Sequence, residues 1–255
     1  MRATILGSGA ASGVPSISRG WGACDPAEPK NRRSRPSILV EDSGVRILVD
    51  TSPDCRQQLI DAGVRHLDAV LYTHDHADHL HGIDDLREVN RAMQAPIAIH
   101  GAPEVLDSIR ARFPYVLGEV EGGQSIYKPM LLPHVIQGPF SVGGVGVVPI
   151  AQDHGYCATT GFRFGALAYS TDLVEMPEES FAALAGIEVW IVGCLTYDPH
   201  ATHAHLDKVL GWIERIGPRR AVLTHMTPSL DYQTLRGRLP VNVEPGFDGM
   251  VIDVG

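Results

Sequence analysis

The chain has 255 residues, room for one large domain or two small ones with a sizeable buried core. About 44% of residues are apolar and 20% charged, the profile of a water-soluble globular protein. A formal net charge of −9 argues against a general nucleic-acid binder, which would carry a basic face, and no stretch approaches the roughly 18 apolar residues of a membrane span.

The first apolar run stops after a few residues, too short for the core of a secretory signal, so a cytoplasmic location is expected. The four cysteines, Cys24, Cys55, Cys157 and Cys194, are far apart in sequence and read as free thiols of a reducing compartment. The basic run with Lys30, Arg32, Arg33 and Arg35 reads as a solvated loop, with contact to an anionic substrate or a partner subunit as the other reading.

In chain order, residues 2–6 predict a strand that runs into a Gly-rich loop reaching Pro15. Residues 37–42 and 45–50 are β-rich runs around Ser43-Gly44, a hairpin signal. Residues 53–62 predict a helix, with Pro53 at its start and Gly63 at its end. A short buried strand is expected at 67–72, with helices at 83–93 and 103–112. In the second half, strands are expected at 144–150, 160–164, 166–170, 187–192, 220–223 and 249–254. Helices are expected at 178–185, 204–216 and 229–237. Hairpins mixed with strand–helix alternation predict a layered α/β (α+β) architecture, with helices covering the outer sheet faces. There is no repeat, low-complexity tract or linker, so one domain over 1–255 is expected.

The chemistry concentrates in His74-Asp75-His76-Ala77-Asp78-His79. Imidazole is the commonest zinc ligand, and carboxylates complete such sites. The segment follows the 67–72 strand, at a carboxyl end where α/β sites form. Residues two apart on a strand point to opposite faces, so His74 and His76 share a metal only if the chain turns between them. His154, Asp172 and His225 each follow another strand-like run. Singly, each also suits a turn or a cap. Together the set offers three nitrogens for one metal, two nitrogens and a carboxylate for a second, and one bridging carboxylate. Asp75 reads as a turn residue or a partner of the ligands.

With these motifs, the sequence resembles the metallo-β-lactamase-fold hydrolases: Thr73 through His79, then His154, Ser170-Thr171-Asp172 and Leu223-Thr224-His225. Within that superfamily it is similar to the phosphoribosyl 1,2-cyclic phosphate phosphodiesterase subgroup. That closer likeness rests on Gly7-Ser8-Gly9, Gly13-Val14-Pro15, Asn31-Arg32-Arg33, Pro199-His200-Ala201-Thr202-His203 and Gly246-Phe247-Asp248-Gly249-Met250. The resemblance implies a four-layer αββα sandwich with the metals at one edge. It implies His74, His76 and His154 on one ion, Asp78, His79 and His225 on the other, and Asp172 between them. It implies two divalent ions, zinc or manganese, and His203 beside them as a general acid or phosphate-binding group. His81, His200 and Ser8 are expected to contact substrate, whereas His66, His100 and His134 are taken as structural. The subgroup's structural zinc site is not expected, because only Cys24 stands in that region and Pro228 follows the last ligand by three.

The resemblance implies hydrolysis of a small (cyclic) phosphodiester by a metal-bridging hydroxide, with Asp78 and His203 as catalytic groups. The ions outweigh the global charge of −9, because surface carboxylates are screened over about 8 Å. An RNA-processing nuclease of the same fold is one alternative, but the basic exosite it needs is not visible. Thioester or lactone hydrolysis is another, and a metal-free binding module is disfavoured by the seven filled ligand positions. A homodimer is a common arrangement in the superfamily.

Overall fold

Ser43 and Gly44 both take positive φ, 51° and 88°, the backbone of a tight type I′ turn that closes a hairpin between two alternating strands. That hairpin seeds the first of two sheets in the computed structural model, which describes residues 1–118 and 126–255. The first half of the chain supplies β1 (Arg2–Gly7), β2 (Ser37–Asp42), β3 (Val45–Val49), β4 (Ala69–Leu71), β5 (Ile97–Gly101) and β6 (Leu131–Val135). The second supplies β7 (Phe140–Val142), β8 (Val145–Asp153), β9 (Ala158–Phe164), β10 (Leu167–Ser170), β11 (Val189–Gly193), β12 (Arg220–Thr224), β13 (Val243–Pro245) and β14 (Val251–Asp253). The helices are α1 (Cys55–Asp61), α2 (Ala77–Leu80), α3 (Leu86–Met93), α4 (Pro103–Arg112), α5 (Glu178–Leu184), α6 (Leu206–Ile216) and α7 (Tyr232–Arg236).

One sheet has the order β14-β1-β2-β3-β4-β5-β6 and the other β13-β12-β11-β10-β9-β8-β7. Each is mixed. β3 through β6 run parallel, as do β10 through β13, and the remaining pairs are antiparallel. Period-two alternation sorts the apolar residues into layers. Ile38, Val40, Ile47, Val49, Ala69 and Leu71 face inward and meet Phe162, Leu167, Tyr169, Val189 and Ile191 of the other sheet. Leu39, Leu48 and Val70 face outward onto α1, α3 and α4. Ala168, Trp190 and Val192 face outward onto α5 and α6. The result is the four-layer αββα sandwich, held by burial of three apolar clusters. Among the described residues, no helix is long and apolar enough to cross a membrane.

The expected elements are present, with ends shifted by a few residues and three differences of substance. β5, β6, β7 and β13 were not anticipated. Asp50, expected within a strand, leaves β3 with φ of 65° and turns its carboxylate into the interior. A one-turn helix, α2, forms inside the histidine motif, where the amides of His79 and Leu80 bond to the His76 carbonyl.

The basic run is not a solvated loop. Arg33 is buried and donates to the carbonyls of Leu230 (2.7 Å) and Thr227 (3.3 Å), beside the Cys24 thiol. Arg35 forms a two-pronged pair with Asp54 (2.5 and 2.7 Å), and Lys30 lies over the rings of Tyr232 and Phe247. The Arg33 and Lys30 contacts tie the loop after β1 to the segment after His225, and the Arg35 pair ties it to the start of α1. Asp248 completes the tie by accepting from the amide and hydroxyl of both Ser8 and Ser34 at 2.6–2.9 Å. All four cysteines are free.

Candidate metal centre

The seven candidate ligands, with Asp50 and Thr73, lie just past the carboxyl ends of strands. Asp50 follows β3, Thr73 to His79 follow β4, His154 follows β8, Asp172 follows β10 and His225 follows β12. His203 lies in the loop between β11 and α6. Asp50, Asp172 and His225 take positive φ of 65°, 49° and 56°, a conformation that is costly for side-chain-bearing residues and clusters at functional sites.

The seven residues singled out as ligands come together. His74, His76 and His154 form one group whose donor atoms all lie within 4.8 Å of one another. Asp78, His79, Asp172 and His225 form a second. Asp172 joins them: its Oδ2 lies 3.4 Å from His74 Nε2 and 2.5 Å from His79 Nε2, and its Oδ1 lies 2.9 Å from His225 Nε2. Asp78 Oδ2 stands 3.3 Å from His79 Nε2 and 3.4 Å from His225 Nε2. His203 belongs with them, its Nε2 3.1 Å from Asp172 Oδ1 and its ring stacked on His225. His154, Asp172 and His203 form a third group of donors within 4.8 Å.

Backbone and hydroxyl partners turn these rings inward. His154 donates from Nδ1 to the Thr202 carbonyl at 2.7 Å, and His74 Nδ1 lies 3.0 Å from the Thr73 hydroxyl. His203 Nδ1 lies 2.7 Å from the Thr202 hydroxyl. In each ring Nε2 is left for the centre, the arrangement by which metal-binding histidines are oriented. Asp50 does this for His79, at 2.7 Å from its Nδ1, and accepts from the amide and hydroxyl of Thr73 at 2.8 Å. Neither Asp50 nor Thr202 was anticipated. An Asp closing an apolar strand looks like any turn residue, although Asp172 stands in the same relation to β10.

The electrostatics ask for added positive charge. Burial alone would lower His79 and His225, yet Asp172 and Asp78 outweigh it, holding His79 well above its usual range and His225 at about 9. Burial would raise Asp172 and Asp78, but the imidazoles, led by His225 for Asp172 and by His79 for Asp78, keep both carboxylates well below theirs. His74 is pushed well below its usual range by burial and then by His79. His154 and His203 are lowered by burial. His74 Nε2, His79 Nε2 and Asp172 Oδ1 are buried without a well-directed hydrogen bond. Inward-facing imidazole nitrogens around ionised carboxylates are the donor set of a divalent metal, and the residues fit one.

The expected substrate contacts fare differently. Ser8 is fully buried with its hydroxyl on Asp248, a tie within the fold. His81 lies outside the cluster, between Arg112 and the Phe113 ring. His200 is exposed beside His203, with ring centroids 5.2 Å apart. His76 is exposed and Asp78 partly so, which places the open side of the centre there.

Comparison with known proteins agrees with this geometry. The β-lactamase superfamily domain matches residues 45–226. An octanoyltransferase of Porphyromonas gingivalis is 33% identical over 255 residues, covering 98% of this chain and 51% of that protein, so the chain spans about half that relative's length. The crystal structure of a diphosphatase from the PhnP family superposes with a TM-score of 0.91 at 29% identity, covering 100% of this chain and 98% of that one. Zinc-bound PqqB from Methylobacterium extorquens superposes with a TM-score of 0.78 at 21% identity, each chain fully covered, a likeness of fold. The chain belongs to the β-lactamase superfamily, has the metallo-β-lactamase fold, and is similar to a diphosphatase of the PhnP family.

Proposed function

We propose that the chain hydrolyses small phosphodiesters at a centre of two divalent ions, zinc or manganese. The observation that carries the reading is the sorting of seven donors into two groups that meet at Asp172. Bound metal would neutralise a phosphoryl group and make hydroxide available at neutral pH. His74, His76 and His154 would hold one ion, Asp78, His79 and His225 the other, with Asp172 between them. Asp78, held ionised at the partly exposed side of the centre, would supply a carboxylate to that second ion. His203 presents Nε2 to the centre while Thr202 holds Nδ1, and it passes a proton to the leaving oxygen. The likeness to a PhnP-family diphosphatase supports a substrate attacked at phosphorus.

A second reading, acyl ester or thioester hydrolysis, has the Porphyromonas gingivalis relative in its favour. The name octanoyltransferase belongs to a protein about twice as long, so this reading ranks second. The experiment is turnover of a model phosphodiester, a phosphomonoester and an octanoyl thioester by wild type and His76→Ala. Diester hydrolysis is expected, falling by at least about 100-fold in the variant. Equal diester hydrolysis by both proteins would remove the proposed centre from the reaction. Thioester hydrolysis alone would replace the first reading by the second.

A further inference from the structure

We propose that the last turn of α4 clamps the histidine motif and sets the His74/His76 side of the centre, with Asp75, Ser108 and Arg112 as positioning residues. The proposal rests on the two-metal reading. His74 and His76 sit two residues apart and would diverge on an extended chain. Their ring centroids are nevertheless 4.4 Å apart, so the chain reverses at the residue between them. That residue, Asp75, faces α4. The Ser108 hydroxyl donates to Asp75 Oδ2 at 2.6 Å, and Arg112 Nη1 donates to the Asp75 carbonyl at 2.6 Å. Arg112 also reaches Asp75 Oδ2 at 3.4 Å and Ser108 Oγ at 3.2 Å, and its other nitrogen meets His81 Nε2. One guanidinium therefore touches the ligand segment before α2, at Asp75, and after it, at His81.

The other two rings of the trio have their own supports, Thr73 for His74 and Thr202 for His154. His76 has none: among the described residues its exposed ring has no hydrogen-bond partner. Its direction comes from the backbone that carries it, and Arg112 and Ser108 fix that backbone. A rigid fork of donors suits this task, because it holds a carbonyl and a carboxylate at once. The pair is itself partly exposed, with side-chain exposures of 34% for Arg112 and 40% for Asp75, so the fold does not depend on it for core burial.

The experiment measures metal content and affinity by chelator competition in wild type, Arg112→Ala, Arg112→Lys, Asp75→Asn and the double variant Asp75→Ala/Arg112→Ala, with the Tm of each metal-free protein alongside. Arg112→Ala is expected to weaken one of two ions by roughly 10–100-fold and leave the other unchanged. The metal-free Tm should stay within about 2 °C of wild type. Arg112→Lys should not restore the affinity, since an ammonium cannot span Asp75 and His81. Asp75→Asn, which keeps an acceptor for Ser108 and the backbone carbonyl for Arg112, should retain most of the wild-type affinity. The double variant, which also removes the Ser108–Asp75 contact, should bind that same ion no more tightly than Arg112→Ala and leave the other ion unchanged. Two ions bound as tightly in Arg112→Ala as in wild type would overturn the clamp. So would a metal-free Tm that falls in step with affinity, which marks a purely structural role. Wild-type protein that binds no metal would instead overturn the two-metal reading, and it is read on the unsubstituted chain.

Discussion

Asp50 shows how much of the centre lies one bond behind the ligands. Its carboxylate is fully buried, on His79 Nδ1 and on the Thr73 amide and hydroxyl. Asp50→Asn keeps the shape and removes the charge that supports the imidazole. We expect the variant to fold and to lose metal affinity or turnover by roughly 10–100-fold, checked by metal titration and steady-state kinetics. At this scale the histidines were legible in the sequence because five ligand-type side chains crowd into six positions. Asp50, Thr73 and Thr202 were not, since each acts through a partner that only the fold brings close. Ser8 and Arg33 also have surroundings that the sequence did not show. Both looked free for a ligand or solvent, yet their partners lie about 200 or more positions away in the chain, Asp248 for Ser8 and Leu230 for Arg33.

Among the elements, α7 begins at Asp231, whose carboxylate accepts from the Thr234 amide at 2.9 Å and from Asn31 at 2.7 Å. Burial opposes ionisation there, but these hydrogen bonds hold the group at about 2. A carboxyl depressed below its unfolded value of about 3.9 stabilises the fold above that pH and loses the contribution as pH falls toward 2. Asp231→Ala should therefore lower Tm by about 2–4 °C near neutral pH, the effect of a lost helix cap. The gap should shrink in melts taken between pH 4 and pH 2. A gap independent of pH would mean that the charge plays no part. The missed strands have local causes as well. β6 and β13 contain Pro133 and Pro245, and proline argues against a strand except at an edge, where both lie. β7 is a three-residue edge strand, too short for a period to show. β5, an internal strand, alternates Ile97, Ala98, Ile99 and His100 and was legible in principle, but its run is only five residues long.

For the whole molecule, the two sheets meet over one apolar layer, and their carboxyl ends bring residues from position 50 to position 225 to a single edge. The centre is therefore also a cross-link between the halves of the fold. Ions that bind the folded chain and not the unfolded one stabilise it by about 2.7 kcal/mol at 100 times Kd, or about 5–10 °C for a chain of this size. Metal analysis and diester turnover on one preparation, before and after chelation, bear most directly on the two-metal reading. Wild type should hold two ions per chain, lose diester turnover and melt lower when stripped, and recover both on adding zinc or manganese. Asp172→Ala should not recover turnover. Diester turnover that persists in metal-free protein, or that Asp172→Ala leaves intact, would contradict it.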